Sequence, residues 1–600
     1  MFWKRILIVA ILIMMVTPAL FLTPTKAQQA TLTIGWGAAL MDTINPTALT
    51  IQDGGAYVPM HTMYSTLVQS DANGNPAPDL AYKWNYKDST TLDLNLVQNA
   101  TWHDGQPFTA DDVVFTINLY TAHKEFTLMN SYVPNIKSVS ALDKYTVEFA
   151  LKQPDAAFVD YRLMSMYILP AHIWQSISNF ATYTNPNPVG TGPFIFVNWG
   201  GPNTYVQLKA NSNYFYTSLR PKVSNLVIRY FTSYNSMALA LQSGEIDYGG
   251  PLIPPALIPQ LISALGVEVI TRPDVRYMHL YFNVYPNGTG NPTVRDRAVR
   301  LALAHAVNNS YLAIAALQGY AQPVNVPMPT SLPYWINPSI KAYDFDLNQS
   351  ARMLDAAGYK VGSDGVRASP SGVKLSYSLV VPSNYAFLFR AAQIVADWWG
   401  QIGVRATPQM VDAATISSLE HNWKFDVQMW TWSAGYTVDP DWFVSYLVSS
   451  QARPAPNTGS SDSGFMNATF DALYQQQIQQ VDPAKRQQII WQMQQIVHDQ
   501  VPYVPLFTPL AVQAFRSDRF SGIPNSNLPP LGQFYSNTLF LGLTPMAKSP
   551  VTGTASATTP TTAATSTTDA TGTIAIIAIV VILVAGIGYA VLRKRLTGRK

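Results

Sequence analysis

Apolar and polar positions alternate where the first strands are expected. Leu32, Ile34 and Trp36 form one such set, Leu92, Leu94 and Leu96 a second, and Tyr145, Val147, Phe149 and Leu151 a third. A period of two turns one strand face to a core. Elsewhere the period lengthens to that of a helix. Val113, Val114, Ile117 and Tyr120 share a face after Thr109, which can cap, with Asp111 and Asp112 in the first turn. Ile489, Ile490, Met493, Ile496 and Val497 form a stripe behind Asp482-Pro483, an N-cap followed by an N1 proline. Asp346 opens a further helix through Ala351, Met353 and Leu354, which Gly358 closes. Strands and helices alternate irregularly between Ala30 and about Thr544, with no internal repeat and no long linker. The pattern predicts a mixed α/β body.

The two ends break the pattern and give an address. Lys4-Arg5, an apolar run from Ile6 to about Leu22 and small residues up to Ala27 predict a secretory signal peptide over 1–27. Residues 547–572 are dominated by Thr, Ala and Ser and predict an extended stalk, since they cannot bury a core. Thr573 to Leu592 is an unbroken apolar run long enough to span a bilayer, and Arg593-Lys594-Arg595 follows it. Clustered positive charge marks the cytoplasmic side, so 573–592 is read as a single transmembrane helix and 593–600 as a basic cytoplasmic tail. The expected location is the cell membrane, single-pass, with the ectodomain outside. Five Asn-x-Ser/Thr sites, at Asn99, Asn287, Asn308, Asn348 and Asn467, are compatible with export.

Composition changes the picture in three ways. Charged residues are 12% of the chain, about half the ordinary share, and Tyr, Ser, Thr, Asn and Gln take their place. A surface with few carboxylates changes little as pH falls, which suits an acidic exterior. Eight of the 38 basic residues lie in the terminal segments, leaving 30 against 35 acidic ones, so the rest of the chain is acidic and has no basic stripe for nucleic acid. Cysteine is absent, so no disulfide supports the fold and no lipid-modified cysteine holds it to the membrane.

Two rival classes, a surface-anchored extracellular hydrolase and a surface-layer or adhesion protein, share these termini. Signatures of the first are missing: no His-Glu-x-x-His, no Gly-x-Ser-x-Gly elbow and no phosphate loop. His103-Asp104 is adjacent in a tight turn and does not read as a catalytic base with its orienting acid. The second class favours repeated β-sandwiches, which an irregular α/β body does not match.

A series of segments, in order, resembles the solute-binding proteins of peptide/nickel-type ABC importers, extracellular family 5. They are Pro78-Asp79-Leu80-Ala81-Tyr82-Lys83-Trp84, the run Ala100 to Val113 around Trp102-His103-Asp104-Gly105, Leu169-Pro170-Ala171-His172-Ile173 and Pro188-Val189-Gly190-Thr191-Gly192-Pro193-Phe194. Leu241 to Asp247, Val294 to Ala302, Ala356-Ala357-Gly358-Tyr359, Phe425-Asp426 and Asp439-Pro440 continue it. The resemblance implies an α/β, two-lobed periplasmic-binding-protein-like fold of three domains with a hinge. Domain I would comprise 30–70, 193–272 and 505–546, domain II 71–192 and domain III 273–504. The crossing segments would lie near Tyr281-Phe282-Asn283 and Pro505. Ligand would bind between the lobes, with no cofactor and no covalent step. The implied partners are a small-molecule ligand, an ABC permease and its ATPase subunits, with a monomeric ectodomain.

In the family it resembles, relatives that bind peptides carry a Trp and often a carboxylate in the run after the Phe-Asp strand. Here that run is Trp430-Thr431-Trp432-Ser433-Ala434-Gly435-Tyr436, and glycine stands where the acid is expected. Rings beside Asn, Ser and Gln suit sugars. An oligosaccharide therefore leads slightly over a peptide. The cleft candidates are Trp432, Trp430, Tyr436, Asn283, Tyr281, Trp36 and Asp439, the last also readable as part of a structural Asp-Pro turn.

Overall fold

The computed structural model describes residues 30–37, 41–49, 54–71, 73–250, 253–383, 385–433, 439–457, 459–523 and 537–546. The signal peptide, stalk, transmembrane run and basic tail expected from the sequence lie outside them. Among the described residues no helix is long and apolar enough to cross a membrane.

One mixed sheet of twelve strands organises the body. Its midline is the fourteen-residue strand Tyr503–Arg516. The first part of that strand, Tyr503 to Phe507, pairs antiparallel with Arg276–Phe282. Its last part, Leu510 to Arg516, pairs with Val267–Pro273. On the first side the sheet continues through Val427–Ser433, Ser376–Pro382 and Arg405–Val411. From the other edge of Tyr503–Arg516, where Phe515 and Ala514 pair with Tyr248–Gly250, it continues through Thr31–Gly37, Asn225–Phe231, Tyr205–Ala210 and Phe194–Trp199. The exchange of partners falls at Asp274, whose N–H donates to Pro509 O at 3.0 Å. Tyr281 pairs with Tyr503, and Pro505 with His279, so both lie inside the continuous ladder. Fully buried Asp274 holds the Arg276 guanidinium there, with Nε donating to Oδ2 at 2.8 Å.

A separate antiparallel sheet joins Ala81–Tyr86, Thr91–Leu96, Thr146–Leu151 and Ile136–Asp143. Its two inner strands bury alternate residues, as read from the sequence, because only one face meets the core. Thr31–Gly37 differs. It lies between parallel neighbours and is buried on both faces through Ile34 to Gly37, so alternation understated its burial.

Helix starts follow the capping residues. The Asp112 carboxylate accepts the Thr109 N–H at 3.0 Å and the Ala171 N–H at 3.0 Å, so one side chain caps its own helix and ties down a second segment. Asp482 accepts from Ala484 and Lys485 ahead of Pro483–Gln500, and Asp346 from Gln349 ahead of Leu347–Ala356. Gly358, at φ 87°, ends the second of these.

The sequence segments that resembled a family serve packing. The Trp102–Gln106 turn docks on the Gly190–Pro193 turn: His103 N donates to Gly190 O at 2.8 Å, and Gly190 N to His103 Nδ1 at 3.3 Å. Asp104 pairs with His172 at 2.8 Å, not with His103. A Cβ on Gly190 would sit 2.0 Å from Met63 O, and one on Gly192 2.5 Å from Thr62 O. No side chain fits at either position. Asp426 similarly accepts from Asn291 N and Ser378 N at 2.6 and 2.8 Å, joining three segments.

Buried titratable groups set the pH response. Burial pushes Asp79 up to about 7, and burial with nearby Asp439 pushes Asp160 up to about 7. Burial, then Asp462, pushes Glu420 up to about 8. His61 and His103 are pushed down by burial to about 3 and about 4. The folded state holds protons on the three carboxyls, between about pH 8 and 4, that the unfolded chain would release. That term stabilises as pH falls. The two imidazoles act oppositely below 6.5, because the unfolded chain takes protons that the folded state refuses. Three groups outweigh two until about pH 4. The melting temperature should therefore hold or rise from pH 8 to about 5 and fall below 4. A steady decline from pH 7 to 5 in calorimetry would contradict this balance.

Candidate functional site

Strand Val427–Ser433 presents Trp430 and Trp432 on one face, as period two requires, opposite His279 and Tyr277. Both indoles are half-buried. The Trp432 ring stacks on Tyr446, with centroids 4.2 Å apart at 14°. Its Nε1 donates to Asp462 Oδ2 at 2.8 Å. Asp462 Oδ1 accepts from the Tyr503 hydroxyl, and His279 Nε2 lies 3.4 Å from Oδ2. The Tyr277 and Tyr446 hydroxyls meet at 2.6 Å. A shell of rings and hydrogen bonds thus fixes one indole before any ligand arrives.

These residues wall a cavity of about 190 Å³, lined by Glu420, His421, Trp430, Trp432, Asn457, Gly459, Ser460, Ser461 and Asp462. Glu420 lies near the end of helix Ala413–His421 and accepts from the Tyr281 hydroxyl. The same hydroxyl oxygen lies against the Gln428 side-chain amide. The lining combines two ring faces with carboxylates, hydroxyls and an amide. It can stack against a flat group and hydrogen-bond its edges.

Arg162 donates to Asp155 at 2.9 Å and to Asp441 at 3.4 Å. Asp441 accepts from Gln477 Nε2 at 2.9 Å, and Gln477 Oε1 accepts from Arg486 Nε at 3.0 Å. Ala156 N donates to Ile478 O at 2.6 Å.

Of the residues named from the sequence, Trp430 and Trp432 come together at the cavity. Tyr281 is fully buried and stands behind it, acting through Glu420. Asn283 is a correction: it is fully buried and donates to Trp423 O and Phe425 O, both at 2.9 Å, stapling a loop. Trp36 is also a correction, at 4% exposure inside the core of the central parallel strand. Asp439 is buried against Arg486, at 2.6 and 2.9 Å, which takes it out of a ligand role and leaves the structural reading. Tyr436 and Gly435 lie outside the described residues. Sequence reasoning missed Glu420, His421, Asn457, Ser460, Ser461 and Asp462. Polar loop residues carry no period, and only an acid at the helix end shortly before Phe425-Asp426 could have drawn notice. Among the described residues no cluster of His, Cys, Asp and Glu could hold a metal ion.

The described body is thus a mixed α/β fold built around one large sheet, with a ring-lined cavity of polar edges. Residues 75–454 match the model of the bacterial extracellular solute-binding proteins, family 5, and the chain belongs to that family. It is 25% identical over 456 residues to the oligopeptide-binding protein AppA of Bacillus subtilis, covering 74% of this chain and 81% of AppA. Among solved structures it is similar to NikZ from Campylobacter jejuni in complex with Ni(L-His), with TM-score 0.73, 25% identity, and coverage of 86% of this chain and 99% of NikZ. The mannohexaose-bound oligopeptide-binding protein of Thermotoga maritima shares the fold at TM-score 0.69 and 21% identity, over 86% and 99% of the two chains.

Proposed function

We propose that this chain is the capturing component of an ABC importer, held outside the cell by its C-terminal apolar run and acting as a monomeric binding protein, not an enzyme. The permease and its ATPase subunits would receive the closed, loaded form. Ligand contacts made only on closure would shift the balance of the lobes toward it. The observation that carries the reading is the cavity between Trp430 and Trp432. Its volume of about 190 Å³ is below the roughly 300–1,000 Å³ of sites that enclose a drug-sized ligand. One unit of an oligomer would therefore seat here, with the remainder along the cleft.

The ligand class is an oligosaccharide or a short peptide. Stacked indoles, Asn457, Ser460 and Ser461 support the sugar. The Thermotoga maritima protein, which holds mannohexaose, supports it in fold only. Glu420 and Asp462 alter the case against a peptide, which rested on Gly435. Acidic side chains are present at the cavity after all, from other segments. A thermal-shift screen of neutral oligosaccharides against short peptides decides between the two. Stabilisation by members of one series is the expected result. No response to either series would sink the reading.

A further inference from the structure

We propose that Asn287 is a glycosylation site, its side-chain amide nitrogen carrying an N-linked oligosaccharide once the chain is outside the cell. The inference stands apart from the cavity and asks only that the chain be exported, as its family is extracellular. Five Asn-x-Ser/Thr sites occur in the sequence, and folding separates them. A transferase must reach the asparagine amide and the hydroxyl two residues on together, so the segment must be a surface loop. Asn287-Gly288-Thr289 is such a loop. Pro286, Asn287 and Thr289 are exposed, and no residue of the site lies in a helix or strand. No hydrogen bond occupies the Asn287 side chain among the described residues. The Thr289 hydroxyl has only a long contact, 3.4 Å, to Trp423 O. The backbone beneath them is held firmly. Gly288 N donates to Tyr285 O, Thr289 N to Trp423 O and Arg295 Nε to Tyr285 O, each at 3.0 Å. A fixed turn thus offers a free amide with its hydroxyl at the surface.

The fold withdraws the other four sites. The Asn99 amide nitrogen already donates to Phe215 O at 3.0 Å, and Ala100 beside it is buried. Asn308 caps the helix Asn309–Leu317, its Oδ1 accepting the Tyr311 N–H at 2.9 Å. Opening that turn would pull on Asn309, whose Nδ2 donates to Val324 O at 3.0 Å and to Pro505 O at 2.7 Å. Asn348 lies inside the helix Leu347–Ala356, and the hydroxyl it needs, on Ser350, is fully buried. Asn467 caps the helix Ala468–Gln479 through the Phe470 N–H at 2.9 Å, and its own N–H donates to Ser449 Oγ at 3.0 Å. A capping asparagine cannot be drawn into a transferase without giving up its cap. The donor in the proposed step is a lipid-linked oligosaccharide phosphate. Asn287 Nδ2 attacks the anomeric carbon, forming a C–N bond as the C–O bond to phosphate breaks. The lipid phosphate leaves with the bonding pair, and one Nδ2 proton passes to a base of the transferase.

The test uses full-length protein purified from the membranes of the cells that naturally make it, with its peptides mapped by mass spectrometry. The peptide containing Asn287 should carry a glycan on most copies, and those containing Asn99, Asn308, Asn348 and Asn467 should be bare. Asn287→Gln, made in the same cells, should lower the mass of the intact protein by that glycan. Thr289→Ala should lower it equally although the asparagine remains, and Thr289→Ser should keep the glycan because the hydroxyl remains. A bare Asn287 would overturn the proposal, as would a glycan at any of the other four sites or a Thr289→Ala protein still modified at Asn287. Absence of glycan from every site overturns it too. Should a variant fail to fold, the peptide map of the parent protein decides alone.

Discussion

Replacing Arg486 with methionine should destabilise the folded chain by about 3–5 kcal/mol, read as a large fall in the urea midpoint. The guanidinium is buried, donates to both oxygens of Asp439 and to Gln477 Oε1, and lies over the Trp335 ring at 5.5 Å. Methionine fills much the same space but supplies no charge. Asp439, at 3% exposure, would then keep an uncompensated charge beside Asp160 and Asp441. Breaking a buried pair from one side costs far more than the pair contributes, because the orphan pays full desolvation. The partner test follows. Arg486→Met combined with Asp439→Leu should recover most of the loss, since neither charge remains. A double variant as unstable as the single one would show that the pair is not the cause. The same substitution should loosen the contact beside the site, where Gln477 joins Arg486 to Asp441 and Asp441 to Arg162.

Trp432→Ala should raise the ligand dissociation constant by about 30-fold or more, corresponding to roughly 2 kcal/mol for a buried aromatic anchor. Two losses combine. The ring no longer stacks on Tyr446 or walls the cavity, and Asp462 loses the indole N–H that fixes Oδ2. Trp432→Phe separates them, for it keeps a ring and removes the donor. Its affinity should fall between those of the parent and the alanine variant. Calorimetry with whichever ligand the screen yields makes the measurement. An unchanged dissociation constant for Trp432→Ala would remove the strand from the site.

The helix starts needed little beyond local chemistry. Asp112, Asp346 and Asp482 cap where they stand because a short side chain reaches N–H groups two or three residues on, a contact within one turn. The alternating strands were legible for the same reason: side chains two apart share a face whatever they pair with. That rule also placed Trp430 and Trp432 together on one face. The ordered segments identified the family, although most proved to be packing devices. Gly190 and Gly192 are required by backbone oxygens of residues 62 and 63, about 130 positions earlier in the chain.

Burial and partnership were not legible. Trp36 obeys strand alternation as well as Trp432 does, yet one fills the core and the other walls a cavity. The difference is what covers each strand, and that is decided by sheet order. Tyr281 is buried because its strand pairs with Tyr503–Arg516, and Asn283 because its amide is stapled to Trp423 O and Phe425 O. Glu420 and Asp462 stand 42 positions apart on a helix end and a loop, with no period linking them to each other or to the indoles. Only their folded positions beside Tyr281, Tyr503 and Trp432 make them a site. By itself the sequence determined the α/β class, the family and the shared face of Trp430 and Trp432, because each depends on neighbours within a turn, a strand or a motif. The tertiary structure decided which rings line the cavity and which acids stand beside them, because burial and charge pairing depend on segments the chain brings together only by folding.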